Sequence, residues 1–152
     1  GLRQLLDVFE ERRASAVAVH RVPREWVGRY GIVDGAPVAG NPNVLRLRRL
    51  VEKPPVADAP SNLAIAGRYV FTPEIFGCID ATGQGVGGEI QLTDAMDLLA
   101  RQQPMYALSW QARRYDIGNR VEYATCFVDF ALRRPETAKA LREHLLQALA
   151  GS

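Results

Sequence analysis

Ala16-Val17-Ala18-Val19 is a run of four apolar residues, and before it Leu2, Leu5, Leu6 and Phe9 recur at helical spacing. So short an unbroken run reads as a strand buried on both faces, and residues 2–13 read as the amphipathic helix beside it. Together they make half of a βαβ unit. The alternation continues downstream. Strands are expected over residues 29–34, ending at the Asp34-Gly35 turn, and over 44–52, where Leu45, Leu47 and Val51 alternate with Arg46 and Arg48 until Pro54 and Pro55 stop it. A further strand is expected over 62–71. Thr72 and Pro73 then cap and open a helix. The Gly-rich stretch 82–88, expected to be the most flexible in the chain, leads into a helix over 92–102. Residues 105–111 read as the last central strand, and helices over 121–133 and 135–149 close the chain. The expectation is an α/β fold: part of a Rossmann-like mixed, mostly parallel sheet flanked by helices, open on one side, with C-terminal helices, residues 1–152 forming a single partial domain.

Composition narrows the function classes. With 47% hydrophobic residues the 152-residue chain can fill a core, and a formal charge of +2 with arginines scattered among acids argues against nucleic acid as a partner. No apolar run approaches the length of a membrane span, so no membrane partner is expected. Cys78 and Cys126 share no metal-ligand spacing and sit among apolar residues. Buried free thiols in a reducing cytoplasm are expected.

Lys53 and Lys139 are the only lysines in an arginine-rich chain, and Lys53 stands in Val51-Glu52-Lys53-Pro54. A compact ammonium chosen over arginine suits a point charge aimed at phosphate. The tetrapeptide alone more often marks a structural or solvated strand end. Around it lie Arg29-Tyr30-Gly31-Ile32-Val33-Asp34, Ser61-Asn62-Leu63-Ala64-Ile65-Ala66-Gly67-Arg68-Tyr69-Val70, Gly88-Glu89-Ile90-Gln91-Leu92-Thr93-Asp94-Ala95 and Tyr115-Asp116-Ile117-Gly118-Asn119. In this order and spacing the series resembles the bacterial UTP–glucose-1-phosphate uridylyltransferases, within the sugar nucleotidyltransferases, from about Leu2 to about Leu149.

The resemblance implies transfer of a uridylyl group from UTP to glucose 1-phosphate, with Mg2+ as cofactor. It covers the second half of the family's catalytic domain. The family's opening strand, the Gly-rich nucleotide loop and a first metal-binding aspartate have no counterpart here, so the chain is expected to be a fragment, inactive alone. The resemblance places Lys53 on the phosphate of the sugar phosphate, Glu52 on two adjacent hexose hydroxyls and the backbone of Gly31 against the sugar. Asp116 corresponds to the second metal-binding aspartate, so the resemblance gives Lys53 and Asp116 the catalytic roles. Adjacent strand residues face opposite ways, so Glu52 and Lys53 can serve one ligand only if the strand ends or twists between them.

Some readings stay open. Gly31 also fits a simple bulge. Residues 62–69 resemble the floor of the sugar pocket, with a core role favoured for Ile65, Tyr69 and Val70. Thr93 or Asp94 is expected to cap the following helix, and Glu89 to tie down the Gly-rich loop. A core or surface role is favoured over catalysis for His20, and His144 is expected on the polar face of the last helix, while Trp26, Trp110, Arg113 and Arg114 fit packing or solvent as well as they fit a ligand. Thymidylyl-, cytidylyl- and adenylyltransfer to hexose phosphates are alternatives, as is a non-catalytic sugar-phosphate-binding or dimerisation module. A homo-oligomer is expected.

Overall fold

Strand β1 (Ala16–Arg21) runs parallel to β5 (Tyr106–Ser109) on one side and antiparallel to β4 (Leu63–Val70) on the other in a computed structural model that describes residues 2–110, 115 and 117–151. Strands β2 (Gly31–Val38) and β3 (Asn41–Glu52) complete the order β1-β4-β2-β3-β5, which closes on itself as a barrel. The other pairs, β4–β2, β2–β3 and β3–β5, are all antiparallel. The α/β class and flanking helices are as expected, but the mostly parallel, open-sided sheet is corrected to a mostly antiparallel, closed one. The reason is connectivity. Parallel neighbours need a long crossover, whereas β2 and β3 are joined by the two-residue turn Ala39-Gly40, which permits only antiparallel pairing. Helices α2 (Glu74–Ala81) and α3 (Leu92–Gln102) fall after β4, so the crossover they provide serves β5 alone.

The Asp34-Gly35 pair does not end its strand. β2 continues through a register shift between these residues, and a Cβ on Gly35 would lie 2.6 Å from the Arg46 carbonyl oxygen. The glycine answers close backbone approach at a bulge. The turn comes at Gly40, with φ +81°.

β1 is covered on both faces, as its unbroken apolar run requires. Ala16 and Ala18 pack with Leu5 and Val8 of α1 (Leu2–Arg12), while Val17 and Val19 join Val33, Leu47 and Leu50 beneath Ile75 and Cys78 of α2 and Met96 and Leu99 of α3. The α2 start differs slightly from expectation: Glu74 is its first helical residue, Pro73 precedes it, and no side chain caps it. The Thr72 hydroxyl instead accepts from Gln103 Nε2 at 2.8 Å and lies 3.2 Å from Ser15 Oγ.

The chain divides into two compact units, Gly1–Gln111 and Ala112–Ser152. The second contains α4 (Arg120–Leu132) and α5 (Pro135–Ala150). Asn119 caps α4, its Oδ1 accepting from Val121 N and Glu122 N at 2.9 and 3.1 Å. Cys78 is buried and Cys126 only half-buried, both free thiols. No described helix is long and apolar enough to cross a membrane.

Candidate functional site

Glu52 ends β3, and its register partner across the ladder is Gly31, the first residue of β2. The ladder extends one residue further, with Lys53 N donating to Tyr30 O at 3.0 Å. Lys53 then leaves extended geometry altogether, at φ +43°. A left-handed lysine before a proline is strained, because both Cβ and the proline ring disfavour it. The consequence is geometric: the turn swings Lys53 to the side where Glu52 points, and Lys53 Nζ comes to 3.5 Å from Glu52 Oε1. The strand does end between them, and the two side chains share one side. Glu52 is the more enclosed, with 11% of its side chain exposed against 45% for Lys53. Their ion pair is loose and half solvated, worth no more than ~1 kcal/mol, so the lysine is held near the carboxylate without being consumed by it.

Gly31 is buried under three groups that converge on it. A Cβ there would meet Thr93 Oγ1 at 2.6 Å, Ile65 Cδ1 at 2.8 Å and Glu52 Oε2 at 3.1 Å. Its lack of a side chain thus makes room for the Glu52 carboxylate and its neighbours. Glu52 Oε2 accepts a hydrogen bond of 2.6 Å from Thr93 Oγ1. Thr93 is not the cap it is expected to be. Gln91 occupies the N-cap of α3 without capping through its side chain, and Thr93 and Asp94 lie inside the first turn.

The wall continues along α3. Thr93 and Asp97 are both buried, one turn apart, and Asp97 Oδ1 accepts from Leu50 N at 2.7 Å while Arg101 holds Oδ2. β3 loses strand cover on this side, since its pairing with β5 spans only Val44–Arg46 before Met105 O takes Leu47 N. The Asp97 carboxylate satisfies the buried, unpaired edge. The Gly-rich loop rests on the same turn: a Cβ on Gly85 would be 2.5 Å from Asp94 Oδ2. The loop is tied by the main-chain oxygen of Glu89, which accepts from Gly85 N at 2.9 Å.

The electrostatics follow from this crowding. Burial, then the charges of Glu52 and Asp97, push the Asp94 carboxyl above the ordinary carboxylate value. Burial, then the Glu52 charge, raise the Tyr69 phenol, with Arg68 opposing. Tyr69 also packs on the main core and stacks on Phe71 at 5.4 Å. It is therefore a core residue whose hydroxyl end feels Glu52.

Of the residues singled out in the sequence, the structure brings Gly31, Glu52 and Lys53 together. Asp116, Arg113 and Arg114 lie outside the described residues. Among the described residues no three His, Cys, Asp or Glu side chains gather as a metal site. Trp26 is partly exposed, with the Arg29 guanidinium 5.2 Å from its ring centroid. Asp97 is the residue that sequence reading passed over, and Thr93 was read as a helix cap and not as a partner of Glu52. Their signal was present as two polar residues at i and i+4 on the stripe shared with Met96 and Ala100, where burial demands partners.

Comparison with known proteins places the fold in a family. Residues 1–131 match the family described as Nucleotidyl transferase. The UTP–glucose-1-phosphate uridylyltransferase of Bacillus subtilis (strain 168) is 43% identical over 151 residues, covering 99% of this chain and 50% of its own length. A UDP-glucose pyrophosphorylase solved in complex with UDP-glucose superposes with a TM-score of 0.79 at 34% identity, over 87% of this chain and 49% of that one. The UDP-glucose pyrophosphorylase of Acinetobacter baumannii gives 0.80 at 29% identity, over 97% and 50%. The chain thus spans about half the length of the relatives it matches. On the family match and the fold together, the chain belongs to the nucleotidyl transferase family.

Proposed function

We propose that this chain is the sugar-phosphate-binding half of an enzyme that makes UDP-glucose and pyrophosphate from UTP and glucose 1-phosphate. The observation that carries the reading is the convergence of Glu52, Lys53 and Gly31 on one wall at the end of β3. A carboxylate with two acceptor oxygens suits a pair of adjacent hydroxyls, and an ammonium beside it suits the phosphate of the same ligand. Gly31 carries no Cβ that would displace the Glu52 carboxylate from this wall.

In this reaction an oxygen of the sugar phosphate attacks the α-phosphorus of UTP in line, and pyrophosphate departs. The protein forms no covalent bond. It brings two polyanions together, and the repulsion is offset by positioned cations and donors. Lys53 neutralises the sugar phosphate and Glu52 fixes the hexose, so that the attacking oxygen is held at one place. Asp116 would hold Mg2+, whose chemistry is charge neutralisation at the phosphates. The nucleotide is bound by the half of the catalytic domain that the relatives carry beyond the matched region. The enzyme works in the cytoplasm, as a homo-oligomer.

The test is kinetic, in the full-length protein carrying this sequence. Glu52→Gln keeps the shape and removes the charge, so the KM for glucose 1-phosphate is expected to rise by about tenfold or more while that for UTP stays near wild type. Equal weakening of both substrates would make Glu52 structural. Robust pyrophosphate release by the purified 152-residue chain would refute its being a half.

A further inference from the structure

We propose that Thr93 is a positioning residue for Glu52, setting the carboxylate that takes the sugar; this rests on the reading of Glu52 as the hexose acceptor. The geometry is a two-point suture between α3 and β3. Thr93 and Asp97 are four residues apart on the helix, a rise of about 6 Å, and they engage Glu52 and Leu50, two residues apart on the strand, a rise of about 6.7 Å. The near-equal spacings let helix and strand run antiparallel with both bonds made. The Asp97 end is anchored twice, by Leu50 N at 2.7 Å and by the Arg101 fork, with Arg101 Nε at 2.9 Å. Thr93 is therefore presented to Glu52 by a helix whose register is already fixed.

The bond does more than satisfy a buried hydroxyl. Thr93 is 6% exposed, and its 2.6 Å bond to Oε2 restricts rotation of the carboxylate. On the other oxygen, Lys53 Nζ at 3.5 Å is too loose to define an orientation. Thr93 thus fixes what Lys53 does not, and it leaves the Oε1 edge for sugar hydroxyls. The β-branched side chain of Thr93 is itself stiff, so the donor is preset before ligand arrives. Gly31 completes the device, because any Cβ there would press on Thr93 Oγ1 and Glu52 Oε2 together. The Gly-rich loop joins it too, since Gly85 lies against Asp94 in the same helical turn.

The experiment compares Thr93→Val and Thr93→Ser in the full-length protein, each alone and combined with Glu52→Gln. Thr93→Val keeps the volume and deletes the donor; it is expected to raise the KM for glucose 1-phosphate by roughly tenfold, the scale of one hydrogen bond to a charged group, with the KM for UTP unchanged. Thr93→Ser retains the donor and is expected to restore most of the affinity, within about threefold because serine is freer at χ1. In the Glu52→Gln background, Thr93→Val is expected to add little, since the charge it positions is gone. Thermal melting separates folding from positioning, and the serine variant carries the test if the valine variant does not fold. An active wild-type enzyme whose Thr93→Val variant keeps its sugar-phosphate KM, or a serine variant as weak as the valine one, overturns the positioning role alone. A wild-type enzyme with no transfer from UTP to glucose 1-phosphate overturns the functional reading, and the role of Thr93 falls with it.

Discussion

Leu99 and Leu146 are both leucines on amphipathic helices, yet Leu99 in α3 is 0% exposed and Leu146 in α5 is 69% exposed. The contrast extends to the units they belong to. The first unit packs its strands into three apolar clusters, one on each side of β1 and a third around Val22, Val27 and Ile32. In the second, no residue of α4 or α5 is buried among the described residues, and Val121, Phe127, Leu146 and Leu149 all stand more than half exposed. Polar bonds recur there instead: the Asn119 cap, Tyr115 Oη donating to Asp129 Oδ2 at 2.5 Å, and the Thr137 hydroxyl donating to Ala131 O at 2.5 Å. The site at the end of β3 can hold a strained lysine and crowded carboxylates because the unit around it is fully packed. The described residues of α4 and α5, with none buried, offer no such reserve to hold strain.

The largest test of that difference is Leu99→Ala. Removing a fully buried leucine costs the transfer of its methyls and leaves a cavity, together about 2–5 kcal/mol. Chemical denaturation should show the loss as a lower midpoint with an unchanged slope. A loss below ~1 kcal/mol would mean that the core is not close-packed.

Next in size is Gly31→Ala. The added methyl must displace Thr93 Oγ1 or Ile65 Cδ1, and overpacking of this kind costs about 1–3 kcal/mol. The same substitution tilts the carboxylate, so sugar-phosphate affinity should fall along with the melting temperature. A variant that is destabilised but binds the sugar phosphate normally would detach Gly31 from the site.

Lys53→Gly should go the other way. Glycine accepts φ +43° without strain, so stability is expected to rise by up to about 1 kcal/mol while transfer activity is lost. A melting temperature that falls with activity would show that the Glu52 ion pair outweighs the strain.

How far the sequence led can be read from these same residues. The helix over 92–102 was legible to the residue, because an apolar period is local. Glu52, Lys53 and Gly31 were legible as a motif but not as a geometry: nothing in the letters tells that Lys53 turns left-handed. The strand directions were misread, since alternation of helix and strand says little once strands come as hairpins. Thr93 was read as a cap because its actual partner, Glu52, lies 41 residues away in sequence, a pairing that only the packing of α3 on β3 creates.

A smaller effect is expected at Asp94, and its sign depends on pH. Burial and the charges of Glu52 and Asp97 raise this carboxyl above its ordinary value, so the folded protein binds the proton more tightly than the unfolded chain. The stability from the protonated form is present below the ordinary carboxylate pKa and is lost as pH rises through the raised one. Asp94→Asn should therefore melt higher than wild type at pH 7, with the gap closing below about pH 4. A gap that persists in acid would point to the loop contact at Gly85 in place of charge.

The smallest effect is expected for Leu146→Ala, and it is the one best able to break the comparison. A leucine that is largely solvated on a helix has little apolar area to lose, and alanine has the higher helix propensity, so the two contributions nearly cancel. The change in unfolding free energy should lie within about 0.5 kcal/mol of zero, and the helical circular dichroism should hold or rise slightly. The measurement should be repeated over a hundredfold range of protein concentration. A loss of 2 kcal/mol or more, on the scale of about 2–5 kcal/mol for truncating a buried leucine, would mean that the apolar face of α5 is covered in solution. If that loss grew with concentration, the cover would be a second copy of the chain, and the contrast between the two units would then belong to the monomer alone.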